Sequence, residues 1–186
     1  MPDLKTRTDE KAVSAQHTDG RGNSGSRIKR LSAVIFVVLL LILFDQWTKG
    51  LALAHLKGSA PIALVPNVLE LLYTENTGAA FGILKGQQWF FYLTAGVVSL
   101  FCCVVVWKLP FSRRMRPLFW DLCLVIAGAL GNVIDRLRYG YVVDFVYFKP
   151  IDFPVFNVAD IYITCACAAL IVLFLFYYKE DELKFL

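Results

Sequence analysis

Apolar residues along this chain form four long runs that are separated by shorter polar stretches. The runs cover approximately residues 31–54, 89–107, 118–136 and 158–178. Each run is close to the roughly 20 helical residues that are needed to cross about 30 Å of hydrocarbon. The pattern therefore predicts an all-α membrane protein with four transmembrane helices.

The polar residues before the first run show no apolar periodicity. Residues 1–27 are rich in Ser, Thr, Asp, Gly and Lys, a composition that is typical of disordered segments. We therefore expect a disordered tail over residues 1–27 and a four-helix transmembrane domain over residues 28–186.

The first apolar run could alternatively belong to a secretory signal over Arg21 to Phe44 that is cut after Ala54. Asp45 and Lys49 interrupt the approach to that cleavage point. We therefore favour a retained transmembrane helix.

Two loops between the runs contain short β-prone pieces. Residues 55–88 contain the stretch VLELLYTE between turn-forming residues, and residues 137–157 contain YVVDFVYF before two prolines. β-Branched and aromatic residues bounded by Pro, Asn and Gly are typical of short strands. We expect a small sheet or hairpin that lies on the membrane face, with neighbouring aromatic side chains at the level of the lipid headgroups.

Composition and charge support the membrane assignment and add an orientation. The chain of 186 residues is 58% hydrophobic with a mean hydropathy of +0.58, which lies outside the range of soluble domains.

Lys and Arg cluster before the first run, between the second and third runs, and after the fourth; these residues are Arg21, Arg27, Lys29, Arg30, Lys108, Arg113, Arg114, Arg116, Lys179 and Lys184. Because positively charged loops remain in the cytoplasm, both termini should be cytoplasmic and the loops 55–88 and 137–157 extracytoplasmic. The net charge of +4 follows from this topology and gives no indication of nucleic-acid binding.

This topology brings three aspartates to one depth of the membrane. A third helix that begins at Leu118 and rises about 1.5 Å per residue places Asp135 near the outer boundary. Asp144 lies in the following loop, and Asp160 lies in the first turn of the fourth helix on the same side. Ionisable groups within membrane segments cost about 2.5 to 3.5 kcal/mol on insertion scales, so they indicate function by default.

Asp144 and Asp160 are the best candidates for chemistry because each lies among apolar residues without a basic neighbour within four positions. Two carboxyl groups in a low-dielectric site cannot both ionise easily, so the pair shares a proton. Such a pair can activate water for amide hydrolysis, as in the aspartic proteases. Asp135 is an alternative partner for Asp160, but the adjacent Arg136 should keep it a plain carboxylate.

Asp45 reaches the outer half of the first helix, where Lys49 at i,i+4 can pair with it. We favour a structural role for Asp45. Asp121 and Asp152 are expected to be solvated or interfacial.

Two asparagines accompany acids at helical spacing. Asn132 precedes Asp135 by three positions, and Asn157 precedes Asp160 by three, so each amide shares a helix face with its acid. The amide could donate to the carboxylate or bind the backbone of an extended substrate. A helix cap or an interhelical hydrogen bond is the alternative, and spacing alone leaves both interpretations open.

Other chemistries have less support in the sequence. The two histidines, His17 and His55, form no HExxH pattern, so we expect no metal and no cofactor. The GNSG stretch at residues 22–25 lies in the polar tail, and Lys49 has no serine at helical spacing, so a serine nucleophile is not expected. A small proton-coupled carrier remains the alternative, although carriers tend to show repeated halves and sites at the bilayer midplane.

Five short blocks of the sequence resemble the motifs of signal peptidase II, a family of bacterial membrane aspartic endopeptidases that process prolipoproteins. The blocks are DQWTK at residues 45–49, NTGAAF at 76–81, GALGNVIDR at 128–136, VVDF at 142–145 and FNVAD at 156–160. They occur in the family's order along the chain. After the last block this chain continues with Ile161 and Tyr162, where many members of the family have a small residue.

The resemblance implies that Asp144 and Asp160 form the catalytic dyad. Contacts with the substrate, or with the cyclic peptide inhibitor globomycin, are implied for Asn76, Asn132 and Arg136, to which we add Asn157. A supporting role is implied for Asp45 and Lys49, to which we add Gly78 and Asp135.

The resemblance also implies an architecture and a substrate. The family has four transmembrane helices, a β-cradle on the membrane surface and a short extracytoplasmic helix at the interface. Its substrate is a prolipoprotein whose cysteine already carries diacylglycerol, cut just before that cysteine. We accordingly expect a multi-pass monomer in the bacterial cytoplasmic (inner) membrane, in contact with lipid, with its active site at the extracytoplasmic face.

Overall fold

The structure is a computed structural model that describes residues 4–78, 84–110 and 112–185, with side chains from residue 27 onward. The last three residues of the NTGAAF block therefore lie outside the described residues. Helix α1 (Leu4–His55) contains the first apolar run and continues back into the segment for which the composition predicts disorder. A helix satisfies its backbone hydrogen bonds internally, so a polar segment can extend an apolar helix without tertiary contacts. The boundary between tail and membrane domain near residue 27 stays a prediction.

Helices α2 (Gln88–Lys108), α3 (Arg116–Tyr139) and α4 (Val158–Val172) correspond to the second, third and fourth apolar runs. A π-helical turn, Leu173–Tyr177, continues α4. Within the described part of the chain, these three helices, α4 counted to Tyr177, are long and apolar enough to cross a membrane. Large apolar side chains on their outer faces are exposed, as lipid-facing side chains are in a membrane helix.

A small antiparallel sheet of three strands forms from the predicted β-prone pieces. Its strands are β1 (Ile62–Val65), β2 (Leu69–Asn76) and β3 (Val142–Phe148), in the order β1-β2-β3. The register pairs Thr74 with Asp144, so the end of β2 lies beside the candidate acid. A 3-10 turn, Lys149–Ile151, follows β3. The chain then returns so that Phe156 bridges to Val146 just before α4 begins.

Helix α3 packs against α1, α2 and α4 and carries much of the buried surface. Glycines allow the closest approaches. A Cβ atom at Gly128 would lie 2.6 Å from the carbonyl oxygen of Ala159, and one at Gly131 would lie 2.7 Å from Oδ2 of Asp45. Small residues at these two positions therefore let α1 and α4 approach the outer end of α3.

The expectation that Asp121 is solvated or interfacial is wrong. Its side chain is 4% exposed, and within the described residues neither carboxyl oxygen has a hydrogen-bond partner. Position 121 shares the helix face of Leu118, three residues earlier, which is buried, so this face of the helix carries the carboxyl into the core. The corresponding expectation for Asp152 is confirmed, because it is exposed and accepts a hydrogen bond from the Tyr147 hydroxyl at 2.6 Å.

Candidate active site

Strand β3 carries Asp144 into the protein, where its side chain is 1% exposed. The sequence VVDFVYF favours a strand because its residues are mainly β-branched and aromatic. Neighbouring strand β2 ends at Asn76, whose Nδ2 donates to Oδ2 of Asp144 at 2.8 Å. The sheet therefore positions both the acid and one of its amide partners.

The first turn of α4 positions Asp160 through a capping box. The Asn157 side chain accepts from the backbone N–H of Asp160 at 3.1 Å, and the Asp160 carboxylate accepts from the backbone N–H of Asn157 at 3.2 Å. Such reciprocal bonds satisfy N–H groups that have no partner within the helix. The box fixes the position of the Asp160 carboxylate relative to the helix start.

Two asparagine amides connect the candidate acids. Asn157 Nδ2 donates to Oδ1 of Asp144 at 2.6 Å, and Asn132 Nδ2 donates to Oδ1 of Asp160 at 2.8 Å. Asn157 Nδ2 also approaches Oδ1 of Asn132 at 3.2 Å. For Asn157, both interpretations that spacing left open are therefore present, since it caps α4 and also donates to a carboxylate.

A buried cation lies beside this group of amides. The Lys49 ammonium contacts Asp45 at 2.9 Å, Asp135 at 3.1 Å and Oδ1 of Asn132 at 2.9 Å. Lys49 is 2% exposed, and both carboxylates are fully buried. The predicted pairing of Asp45 with Lys49 is present, and the ion pair of Asp135 reaches across to α1.

Each supporting carboxylate holds the backbone next to one candidate acid. Asp135 Oδ2 accepts from the N–H of Val143 at 3.0 Å, one residue before Asp144. Asp45 Oδ1 accepts from the N–H of Ala159 at 3.0 Å, one residue before Asp160. The lysine-centred network therefore fixes β3 and α4 relative to α1 and α3.

Arg136 joins the site to the segment that follows β2. Its NH2 donates to the carbonyl oxygen of Gly78 at 3.0 Å, and its NH1 donates to that of Asn132 at 3.3 Å. The guanidinium carbon lies 4.1 Å from the ring centroid of Phe91, within the range of a cation–π contact. The Gly78 N–H donates to Oδ1 of Asn76 at 3.0 Å, which fixes the amide that faces Asp144.

Both candidate acids line one cavity of about 620 Å³. Its polar lining also includes Asn76, Asn132 and Arg136. Apolar side chains from α2, α3 and α4 and from the loop before α4 form most of the remaining wall; these include Val98, Val125, Ala129, Phe153, Ile161 and Ile163. A cavity with a few converging polar groups and a long apolar wall fits an amphiphilic ligand. Ile161, the departure from the family pattern, contributes to this wall, and the Tyr162 hydroxyl instead donates to the carbonyl oxygen of Leu41 at 3.3 Å.

Burial and, to a smaller extent, the nearby charge of Asp160 raise the pKa of Asp144 to about 7. Hydrogen bonds from Asn76 and Asn157 act in the opposite direction because they stabilise the charged form. A carboxyl group that titrates near neutral pH can hold or release a proton during catalysis.

Two contributors to the site were not predicted from the sequence. Gln46 Nε2 donates to Oδ1 of Asp135 at 2.8 Å and to the carbonyl oxygen of Gly131 at 3.2 Å. The second is Phe91, whose ring lies against the Arg136 guanidinium. Gln46 directly follows Asp45 in the DQWTK block, and this adjacency was the available signal; no pattern pointed to Phe91.

Within the described residues, no group of three or more His, Cys, Asp or Glu side chains is arranged to hold a metal ion. The acids of the site are instead satisfied by amides, backbone N–H groups and Lys49.

Comparison with known proteins places the chain in a family. The family profile described as signal peptidase (SPase) II matches residues 37–176. Among similar curated proteins, the lipoprotein signal peptidase of Halalkalibacterium halodurans is 40% identical over 148 residues, which is 78% of this chain and 92% of that protein. That of Latilactobacillus sakei is 44% identical over 133 residues, which is 70% of this chain and 85% of that protein.

Solved structures show the same fold. A bacterial membrane enzyme determined by the in meso method at 2.3 Å resolution is 31% identical, with a TM-score of 0.71 over 80% of this chain and 93% of that chain. A second such structure at 1.9 Å resolution has a TM-score of 0.68 at 31% identity, over 79% of this chain and 95% of that chain.

Proposed function

Because this chain belongs to the signal peptidase II family, we propose that it is a membrane aspartic endopeptidase that removes signal peptides from diacylglyceryl-modified prolipoproteins. It cuts just before the lipidated cysteine. The observation that carries this proposal is the convergence of Asp144 and Asp160 on one cavity, with Asn157 bonded to both.

The proposed topology has four membrane spans. The apolar run at residues 31–54 within α1 supports the first span, and the three apolar helices support the others. The clustering of Lys and Arg supports cytoplasmic termini. The sheet then forms a cradle at the outer face of the bacterial cytoplasmic membrane, and the dyad lies at that face.

The shape of the cavity supports a lipidated peptide as the substrate. Much of its apolar lining comes from α2, α3 and α4, and this lining suits a peptide whose acyl chains remain in lipid beside the helices. The polar lining offers Asn76, Asn132 and Arg136 to the peptide backbone, and we assign the same residues as contacts for globomycin. The substrate then enters laterally from the bilayer, with its scissile amide between the two aspartates.

The chemical step uses one proton that the dyad shares. The ionised carboxylate takes a proton from water as the water oxygen bonds to the carbonyl carbon, and the protonated carboxyl gives its proton to the carbonyl oxygen. The resulting diol then collapses: the carboxylate that gave up its proton takes one from a diol hydroxyl, the C–N bond breaks, and the carboxyl that took the proton from water gives it to the leaving nitrogen, which restores the shared proton. Since the pKa of Asp144 is about 7, we assign the shared proton to Asp144 and the water-activating role to Asp160.

A gel-shift cleavage assay on the purified protein tests the proposed function. A diacylglyceryl-modified prolipoprotein should be cut, while the unlipidated form of the same protein should be cut poorly. Globomycin should stop cleavage. Equal cleavage of both forms would contradict the lipidated substrate, and no cleavage of either would contradict the endopeptidase assignment.

The carrier alternative makes a different prediction. A carrier would move substrate across proteoliposomes that contain the protein, and globomycin would not affect that flux. No observation among the described residues favours this function over peptide hydrolysis.

A further inference from the structure

Asn157 is bonded to both candidate acids although it is itself fully buried. Its Oδ1 accepts from the N–H of Asp160, its own N–H donates to the Asp160 carboxylate, and its Nδ2 donates to Asp144 and approaches Oδ1 of Asn132. These contacts use both N–H donors of the amide and give its oxygen a partner within the protein. Neither polar atom of the side chain is therefore without a partner.

The orientation of this amide is fixed by its partners. The backbone N–H of Asp160 is a donor, so the amide atom that faces it must be the oxygen. Nδ2 is therefore directed to Asp144, and a flipped amide would set Oδ1 against a carboxylate oxygen. Lys49 fixes Asn132 in the same way, because its ammonium can only donate to Oδ1.

Burial separates Asn157 from the other amides of the site. Asn76 and Asn132 line the cavity together with both acids, whereas the lining of the cavity does not include Asn157. We propose that Asn157 is a positioning residue, which aligns Asp144 and Asp160 through one side chain and does not contact the substrate. The kinetic test of this inference rests on the proposed function. The positioning role replaces the substrate contact that the sequence analysis assigned to Asn157.

Substitution by serine separates the two functions of the side chain. Serine is a good N-cap residue, so Asn157→Ser keeps an acceptor for the Asp160 N–H. It removes the amide donor to Asp144. We expect kcat to fall roughly 10- to 100-fold, since small misplacements of catalytic groups cost about that much, while KM stays within about twofold of wild type.

The pH profile should change as well. The lost amide stabilises the charged form of Asp144, so the alkaline limb of kcat/KM should move to higher pH in Asn157→Ser. The other groups that act on Asp144 are retained in the variant: the Asn76 amide from β2, Lys49 from α1, Arg136 from α3, and Asp160 from α4.

A contrasting variant is available in Asn76→Ser. It removes the other amide donor to Asp144, but from a residue that lines the cavity. Here KM should rise as kcat falls.

Asn157→Ala, which loses the cap as well, should show a lower Tm than Asn157→Ser.

Thermal unfolding provides a readout that does not depend on cleavage. In the wild-type protein the contribution of Asp144 to stability should decline between about pH 4 and pH 7, because its pKa in the unfolded chain is near 3.8 and in the folded protein about 7. In Asn157→Ser that decline should extend to higher pH. If the wild-type protein fails to cut the lipidated substrate, the proposed function fails, and the unfolding profile still tests whether the Asn157 amide stabilises the charged form of Asp144.

The experiment measures kcat, KM and their pH dependence for wild type, Asn157→Ser and Asn76→Ser on the same diacylglyceryl-modified prolipoprotein, with Tm recorded from pH 4 to pH 9. A reduced kcat with unchanged KM, and both pH profiles shifted upward, supports positioning. A raised KM with unshifted profiles would show that Asn157 binds the substrate, and wild-type behaviour in Asn157→Ser would equally overturn the inference.

Discussion

At the scale of single residues, Asp144 is the group whose protonation sets the pH range of the proposed reaction. Burial and the charge of Asp160 raise its pKa to about 7. We expect kcat/KM to fall as pH rises above about 7, since the shared proton is then lost. Cleavage rates between pH 5 and pH 9 test this, and a flat profile up to pH 9 would contradict the assignment of the proton.

Unfolding does not explain such a loss of activity. A raised folded-state pKa contributes stability at low pH, and that contribution is lost as pH rises from about 4 to 7. Above pH 7 the stability should no longer depend on this carboxyl group. Tm measured over the same range is therefore the control for the kinetic profile.

Lys49 is the residue whose loss should affect stability most directly. Its removal leaves two buried carboxylates, Asp45 and Asp135, without their cation, and breaking a buried pair in this way costs about 3 to 5 kcal/mol. We expect Lys49→Met to show a much lower Tm and protein level. Lys57→Met is the control, because its ion pair with Glu75 is exposed, and an unchanged Tm in Lys49→Met would contradict the role of the network.

At the scale of elements, the contact between α1 and α3 depends on the absence of a side chain at Gly131. A Cβ there would lie 2.7 Å from Oδ2 of Asp45, which holds the backbone before Asp160. Gly131→Ala should destabilise by about 1 to 3 kcal/mol, as overpacking does, and should reduce cleavage. Gly96→Ala, with open space around it on α2, should leave Tm equal or higher; equal Tm and activity for both variants would contradict this account.

The same scale shows which elements sequence patterns can predict. Three spans and the strand around Asp144 follow from apolar runs and β-branched residues, and the blocks around the acids gather as expected. The burial of Asp121 and the contacts of Gln46 could not be predicted, because both depend on how α1, α2 and α3 are rotated and offset against each other. For the polar segment before residue 28 the composition predicts disorder, whereas α1 begins at Leu4, since a helix needs no tertiary partner to continue.

At the scale of the whole molecule, the proposed orientation can be measured by labelling. Ser59 and Ser112 are exposed in loops on opposite sides of the proposed topology. In a variant without the exposed Cys103, Cys165 and Cys167, a membrane-impermeant maleimide should label Ser59→Cys in intact cells. Ser112→Cys should be labelled after lysis, and the opposite pattern would contradict cytoplasmic termini.

The catalytic dyad is tested most directly by the rate at which Asp144→Asn and Asp160→Asn cut a diacylglyceryl-modified prolipoprotein. Asp152→Asn, at an exposed loop position, is the matched control and should cut at the wild-type rate. Each dyad variant should remain folded and membrane-inserted but lose at least about 100-fold in rate, as removal of a general acid or base does. Near wild-type turnover in either variant would contradict the account.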